Sequence, residues 1–315
     1  MHVHKQLTST IMAHLPQSLL DAVVRARRNN AVFRRWSDGI ADRLRGRDVT
    51  VRDGLAKGLV FNSGRSNVGY TYAHGALEPD SERAIRTVLQ SGMTFYDIGA
   101  NFGWLSLIAA RLVGPGGRVV SFEPLDANVR IVQHNIRANN FKNMTVLPIA
   151  LGCTDGLARF LLSSQPSWGM LAATGKEPGA LVGETTVAVK RLDSAVREYR
   201  LLAPQVIKID VEGAEVDVLL GAAETIATFR PLMFIELHDT NATVADILAQ
   251  YDYHACLPGS AASVRDAPEN VHIFAIPRER ADCADLLRIF QHSAFPQCAR
   301  CSEIGKQSAK TEVAL

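Results

Sequence analysis

Four short stretches of this chain carry side chains whose type and spacing suit chemistry. The first is Asp97-Ile98-Gly99-Ala100-Asn101-Phe102-Gly103. It follows an apolar, strand-like run and opens a helix-like one, the place where a doubly wound sheet binds nucleotide-like ligands. Gly99 permits the tight turn and Gly103 a close approach of backbone to ligand. The spacing is not G-x-G-x-x-G, and the carboxylate of Asp97 would repel a pyrophosphate beside it. A ligand with an ammonium or sulfonium group suits it better, and S-adenosylmethionine has both. The second stretch, Phe122-Glu123-Pro124, ends the next strand-like run. An acid there is placed to accept hydrogen bonds from both hydroxyls of a ribose, a feature that S-adenosylmethionine and NAD share. Taken singly, Asp97 would serve as a turn cap and Glu123 as a surface carboxylate; in register they read as an adenosyl-ligand site.

The third stretch, Lys208-Ile209-Asp210-Val211-Glu212-Gly213-Ala214-Glu215, leaves a buried-type strand and turns into a helix. Three carboxylates and a lysine at the carboxyl end of a central strand are costly to place without a use. Lysine would depress the acid pKa values and mutual repulsion would raise one, so this is the candidate reaction edge. The plainer account is that Glu212 and Glu215 favour the positive end of the helix that follows. The fourth stretch, Glu236-Leu237-His238-Asp239, ends the next strand. His238 would act there as a general base oriented by a carboxylate, or sit as an ordinary surface histidine. His, Asp and Glu together could also hold a divalent metal, although no fixed ligand spacing points to one.

Those stretches need a scaffold. The chain has 315 residues, 47% hydrophobic and 21% charged, with 23 Gly and no collagen period. That excludes wholesale disorder and fits one large α/β domain with additions. No apolar run approaches the roughly 18 residues of a membrane-spanning helix. The start, MHVHKQLTST, does not read as a secretory signal. Five Cys spread thinly read as reduced thiols in a cytosol. Cys298-Ala299-Arg300-Cys301 is a lone C-x-x-C without a second pair at zinc spacing. A net charge of +2 demands no nucleic acid, and the motifs of base-directed methyltransferases, a Pro-Pro pair among them, are absent. The positive charge is concentrated early: eight Arg lie between Arg25 and Arg47, interleaved with Leu20, Val23, Val24, Val32, Phe33 and Trp36. This reads as a helix with a solvated face packed on the main domain, or as a basic amphipathic helix on a membrane surface.

Short β-type runs at 49–51, 59–61 and 70–72 suggest a small meander, and 81–89 a helix. Beyond residue 93, strands and helices alternate, the signature of a parallel sheet covered on both faces. Strands are expected at 93–98, 118–122, 144–149, 205–210 and 231–237. Helices are expected at 104–113, 126–139, 214–229 and 243–251. Residues 253–257 and 271–276 read as an antiparallel hairpin closing one edge, and 157–162 with 185–190 as an inserted pair.

The runs FYDIGANFGW, SFEPLDANVRIVQHNIRANN, VLPIALG, KRLDS, VIKIDVEGAE and PLMFIELHD together resemble the FkbM family of methyltransferases, over about residues 70–240. The resemblance implies a doubly wound, Rossmann-like class I methyltransferase sheet, mostly parallel with the last strand antiparallel; the residues in front of it read as a helical and β-meander extension whose basic stretch lies outside the match. It implies an S-adenosylmethionine-dependent enzyme methylating a hydroxyl of a sugar or secondary metabolite. Asp97, Gly99, Asn101 and Gly103 would line the methionine side of the cofactor, Glu123 would take the ribose, and Ala150 with Leu151 and Gly152 would lie near the adenine. Glu78-Pro79 echoes a family element to which no chemistry is assigned. Catalysis would fall to Asp210 with Glu212, then His238, with no metal assigned and a divalent ion as an alternative. The partner would be a small molecule or glycan with a free hydroxyl. Three parts follow: an extension (1–92), the methyltransferase domain (93–280) and a C-terminal helix with a polar tail (281–315), in a cytoplasmic protein. The rival readings are an NAD-dependent oxidoreductase on the same sheet and a non-catalytic binding module.

Overall fold

The computed structural model describes residues 46–64, 78–163, 169–175, 181–268 and 270–292. In chain order it begins with a two-residue ladder, β1 (Val49–Thr50) against β2 (Val60–Phe61), followed by α1 (Pro79–Val88). Then come β3 (Thr94–Ile98), α2 (Trp104–Val113), β4 (Arg118–Phe122), α3 (Asp126–Ala138) and β5 (Met144–Leu147). A second sheet is inserted next: β6 (Ala150–Leu151), β7 (Gly156–Ser163), β8 (Gly169–Leu171) and β9 (Leu181–Lys190). The main sheet resumes through α4 (Leu192–Glu198), β10 (Val206–Ile209), α5 (Glu215–Gly221), α6 (Ala223–Phe229) and β11 (Leu232–Leu237). It closes with α7 (Asn241–Gln250), β12 (Tyr253–Cys256), β13 (Val271–Pro277) and α8 (Cys283–His292).

The seven-stranded sheet has the order β12-β13-β11-β10-β3-β4-β5. All its strands run parallel except the last, β13, which is antiparallel to both neighbours. The expected doubly wound sheet is therefore present, with one refinement. The late hairpin does not simply add an edge: β13 slots between β11 and β12, which puts His272 of β13 opposite Glu236.

Strand alternation assigns the two faces. Phe95, Val119, Val206, Phe234 and Phe274 point to one core with residues of α1, α2, α3 and α8. Tyr96, Val120, Ile207, Met233 and Ile273 point to the other, with residues of α4 to α7. Near-continuous burial along β3, β10 and β11 is what a parallel sheet covered on both sides requires. Strand order reverses between β3 and β10, so the loops at their carboxyl ends diverge and leave a crevice.

Two expected elements divide. The strand over 144–149 stops at Leu147, because Pro148 cannot donate to the ladder; Ala150 and Leu151 leave to pair with Val189 and Lys190 in the inserted sheet. Ala150 thus belongs to the second sheet and does not end the third strand. The helix over 214–229 breaks at Ala222. Buried Asp193 on α4 causes it: its carboxylate accepts from the backbone N–H of Glu224 and Thr225 and from the Thr225 hydroxyl, starting α6 afresh. The basic stretch up to Arg45, the run at 70–72 and the C-x-x-C tail lie outside the described residues. Among the described residues no helix is long and apolar enough to cross a membrane.

Candidate active site

The carboxyl ends of β3, β10 and β11 converge on the crevice, and register decides which side chains meet there. Lys208 is the Cα partner of Asp97 across the β10–β3 ladder, and Asp210, two residues on, shares its face. Glu236 and His238 hold the same relation on β11, and His272 on β13 stands opposite Glu236. Every one of these side chains points to the face that carries Phe95, Phe234 and Phe274, just beyond the apolar core.

Asp97 is 1% exposed. Its Oδ2 accepts a short hydrogen bond from the Ser106 hydroxyl on α2, itself paired with Ser121, while Oδ1 has no hydrogen-bond partner and lies 3.8 Å from Lys208 Nζ. The turn that follows is tight. Gly99 has φ +82°, and a Cβ there would overlap the carbonyl oxygen of Asp210. Asn101 keeps φ +52° despite its side chain, and its buried Oδ1 has no partner either. Glu123, 5% exposed, accepts from the backbone N–H of Asn101 and Leu125 and from the Asn128 amide. Burial pushes its carboxyl up to about 7 against the pull of those hydrogen bonds. Two buried acceptors without donors, beside a glycine turn and a carboxylate at the neighbouring strand end, fit the ammonium and ribose of S-adenosylmethionine. The donor set therefore suits the cofactor that the motifs suggest.

The candidate reaction edge is an ion network. Lys208 Nζ donates to Asp210 Oδ2 at 2.9 Å. Burial disfavours its charge, but Asp210, Asp97 and Glu78 hold its pKa above the usual lysine range. His238, 7% exposed, donates from Nδ1 to Glu215 Oε1 at 2.9 Å and sets Nε2 3.4 Å from Glu212 and 3.8 Å from Glu236. Glu215, fully buried, also accepts from Gly213 N and the Thr240 hydroxyl, so its orientation is locked. Although burial penalises the imidazolium, the carboxylates around it raise His238 to about 9. Burial lifts Glu212 to about 7, opposed by His238. Glu212 also keeps φ +53°, a left-handed conformation that costs a non-glycine residue about 1 kcal/mol or more. Glu236 is held at about 2: burial opposes its ionisation, but the hydrogen bond from His272 and the nearby cations outweigh that.

Asp210, Glu212 and His238 each bring a ligand-type atom within 4.8 Å of the others, a spacing one divalent cation could span. Lys208 on Asp210 and a protonated His238 already supply part of the positive charge that such an ion would bring.

The structure thus brings Asp210, Glu212 and His238 together and sets Asp97, Gly99, Asn101, Gly103 and Glu123 around the adjoining turn. Sequence reasoning gave no role to Glu78 or His272. Half-buried Glu78, just before α1, feels the charges of Lys208, Asp210, Glu236 and Asp97, and burial raises its carboxyl to about 7. His272 sits in the late hairpin, and only the β11–β13 register reveals it.

Comparison with known proteins adds four findings. The family model for the methyltransferase FkbM domain matches residues 97–255. Hexuronic acid methyltransferase AglP of Haloferax volcanii is 25% identical over 162 residues, 51% of this chain and 62% of that protein. Methyltransferase 1 of Beauveria bassiana is 29% identical over 165 residues, 47% of this chain and 66% of that protein. The chain therefore spans less than two thirds of the length of either curated relative. Among solved structures, methyltransferase FkbM from Methylobacillus flagellatus superposes with a TM-score of 0.42 at 20% identity, over 66% of this chain and 54% of that one.

Proposed function

Since this chain belongs to the FkbM methyltransferase family, we propose that it transfers the methyl group of S-adenosylmethionine to a hydroxyl oxygen of a small-molecule or glycan acceptor, with Glu212 as the group that takes the hydroxyl proton. What supports this reading is how the three candidate bases are partnered. Asp210 is tied to Lys208, although burial raises its carboxyl as well; the carboxylates around His238 raise it to about 9, and burial raises Glu212, which no lysine holds, to about 7. A base poised near neutral pH best combines being deprotonated with being able to accept a proton.

Asp97, Asn101 and Glu123 would hold the cofactor and Ala150 would border its adenine, while Gly99 and Gly103 let the turn beneath it pack, Gly99 against the Asp210 carbonyl and Gly103 against Val132 and Met144 of the core. When bound, S-adenosylmethionine supplies an electrophilic methyl group on a sulfonium. The residues of this chain then have three tasks. Asp210, oriented by Lys208, fixes the acceptor hydroxyl by hydrogen bonding, which reduces the entropic cost of alignment. Glu212 receives the proton as the new carbon–oxygen bond forms. Protonated His238, held by Glu215, favours the ionised form of Glu212 before transfer. We take 93–280 as the catalytic unit, with 1–92 and 281–315 as additions. The relative named as a hexuronic acid methyltransferase supports beginning an acceptor screen with sugars.

The test is thermal unfolding with S-adenosylhomocysteine, S-adenosylmethionine or NAD, in wild type and Asp97→Ala. At 100 times its dissociation constant a ligand stabilises the native state by about 2.7 kcal/mol, a shift of a few degrees. The adenosyl-sulfur ligands alone should give it, and only in wild type. A shift with NAD alone would overturn the reading. Binding without turnover on any hydroxyl acceptor would favour the non-catalytic module.

A further inference from the structure

His272 lies beyond the matched family region, on the strand that returns between β11 and β12. Its ring stacks flat on Phe234, with centroids 4.9 Å apart and planes 10° apart, and its Nε2 lies 3.0 Å from Glu236 Oε2. The other oxygen of the same carboxylate, Oε1, lies 3.8 Å from His238 Nε2. Glu236 therefore bridges two imidazoles, one from each of two antiparallel strands. A partly exposed glutamate side chain otherwise has several rotamers and would turn to water. Held at Oε2 by a ring that the stack keeps in place, it has one oxygen left, and that oxygen faces His238.

We infer that His272 is a positioning residue of the reaction edge: by fixing one oxygen of Glu236, it aims the other at the imidazole of His238. The functional weight of this inference rests on the proposed proton-accepting role of that edge. Among the described residues, the charged groups facing His238 include Glu215 from α5, Asp210 and Glu212 beyond the end of β10, and Glu236 from β11. Those facing His272 are Glu236, Asp210, and Glu78 and Asp80 at the start of α1. An ionised carboxylate near an imidazole favours its charged form, so the aim of Glu236 bears on the pH at which His238 gives up its proton.

Two substitutions separate this aim from loss of the His272 charge. His272→Phe keeps an aromatic ring for the stack but has no donor; His272→Gln gives up the ring but keeps an N–H donor. Both are neutral. The ring nitrogen signals of His238, assigned with His238→Gln, are followed by NMR against pH in the resting protein. His238 is expected to titrate at least about half a pH unit lower in His272→Phe than in His272→Gln, since one unit corresponds to a tenfold change in proton affinity. The same pair made in a Glu236→Gln background should titrate alike. Equal titration in the first pair, or a difference that survives without the Glu236 carboxylate, overturns the inference. If His272→Phe does not fold, His272→Leu serves as the donor-free variant. No cofactor or acceptor enters the titration. Failure to bind S-adenosylhomocysteine and failure of the titration difference are therefore separate results.

Discussion

Lys208 Nζ and Asp210 Oδ2 stand 2.9 Å apart at the end of the central strand β10, and the lysine side chain is 5% exposed. A strand places residues i and i+2 on one face, so the pairing is built into the K-x-D spacing. Lys208 compensates two carboxylates, that of Asp210 and, at 3.8 Å, that of Asp97 from the neighbouring strand. It joins the Asp97 turn to the acids at the end of β10.

Removing that ammonium leaves two carboxylates desolvated without a counter-charge. Lys208→Met is therefore expected to lower the free energy of unfolding by about 3–5 kcal/mol, measured by urea denaturation at neutral pH. Adding Asp210→Asn should recover part of the loss. A cost below about 1 kcal/mol would mean that the carboxylates are neutral or hydrated in the native state.

Glu212→Gln keeps the size of the side chain and removes its basicity. Once an acceptor is in hand, methyl transfer is expected to fall by about 10²–10⁴-fold, with S-adenosylhomocysteine affinity unchanged. In wild type the rate should rise with pH through about 7, where Glu212 loses its proton. A Gln variant with near-normal turnover would move the base to Asp210.

Glu82 offers a pH test away from the chemistry. It is 5% exposed, its Oε1 accepts from the Trp104 indole, and burial pushes its carboxyl from 4.5 to about 7. Because the native state favours the protonated form, this stabilisation is complete below about 4.5 and is lost as pH rises through 7. Glu82→Gln keeps an acceptor for the indole and cannot ionise. It should match wild type at pH 4 and exceed it by about 1–3 kcal/mol at pH 8, read from denaturation midpoints. Equal stability at both pH values would show that Glu82 ionises freely in the fold.

Gly92 and Gly99 separate backbone strain from close approach. Both have positive φ, +88° and +82°, but a Cβ at Gly92 meets nothing within 4 Å, whereas one at Gly99 collides with the Asp210 carbonyl. Gly92→Ala should cost about 1–2 kcal/mol, the penalty of a left-handed residue, and leave ligand binding intact. Gly99→Ala should cost more and abolish the thermal shift with S-adenosylhomocysteine. Retained binding in Gly99→Ala would mean that the two strand ends can separate without harm to the crevice.

Much of this architecture is legible in one dimension. The strands β3, β4, β10 and β11 are buried on both faces and read as apolar runs of the right length, and the acids and glycines that follow them mark the crevice. The split of the 214–229 helix was not legible, since its cause is the Asp193 carboxylate, about 30 residues upstream. Nor was the departure of Ala150 into a second sheet, because a two-residue strand carries no periodic signal and is defined only by its partner β9.

Local spacing determined which face each acid of β10 and β11 would occupy, since alternation along a strand needs no partner. The tertiary structure alone decided their chemical state. Lys208 ties Asp210, Glu215 fixes His238, and β13 delivers His272 to Glu236 from more than thirty positions away. Charge state follows from distance and burial in space, and strand register, not order along the chain, sets both.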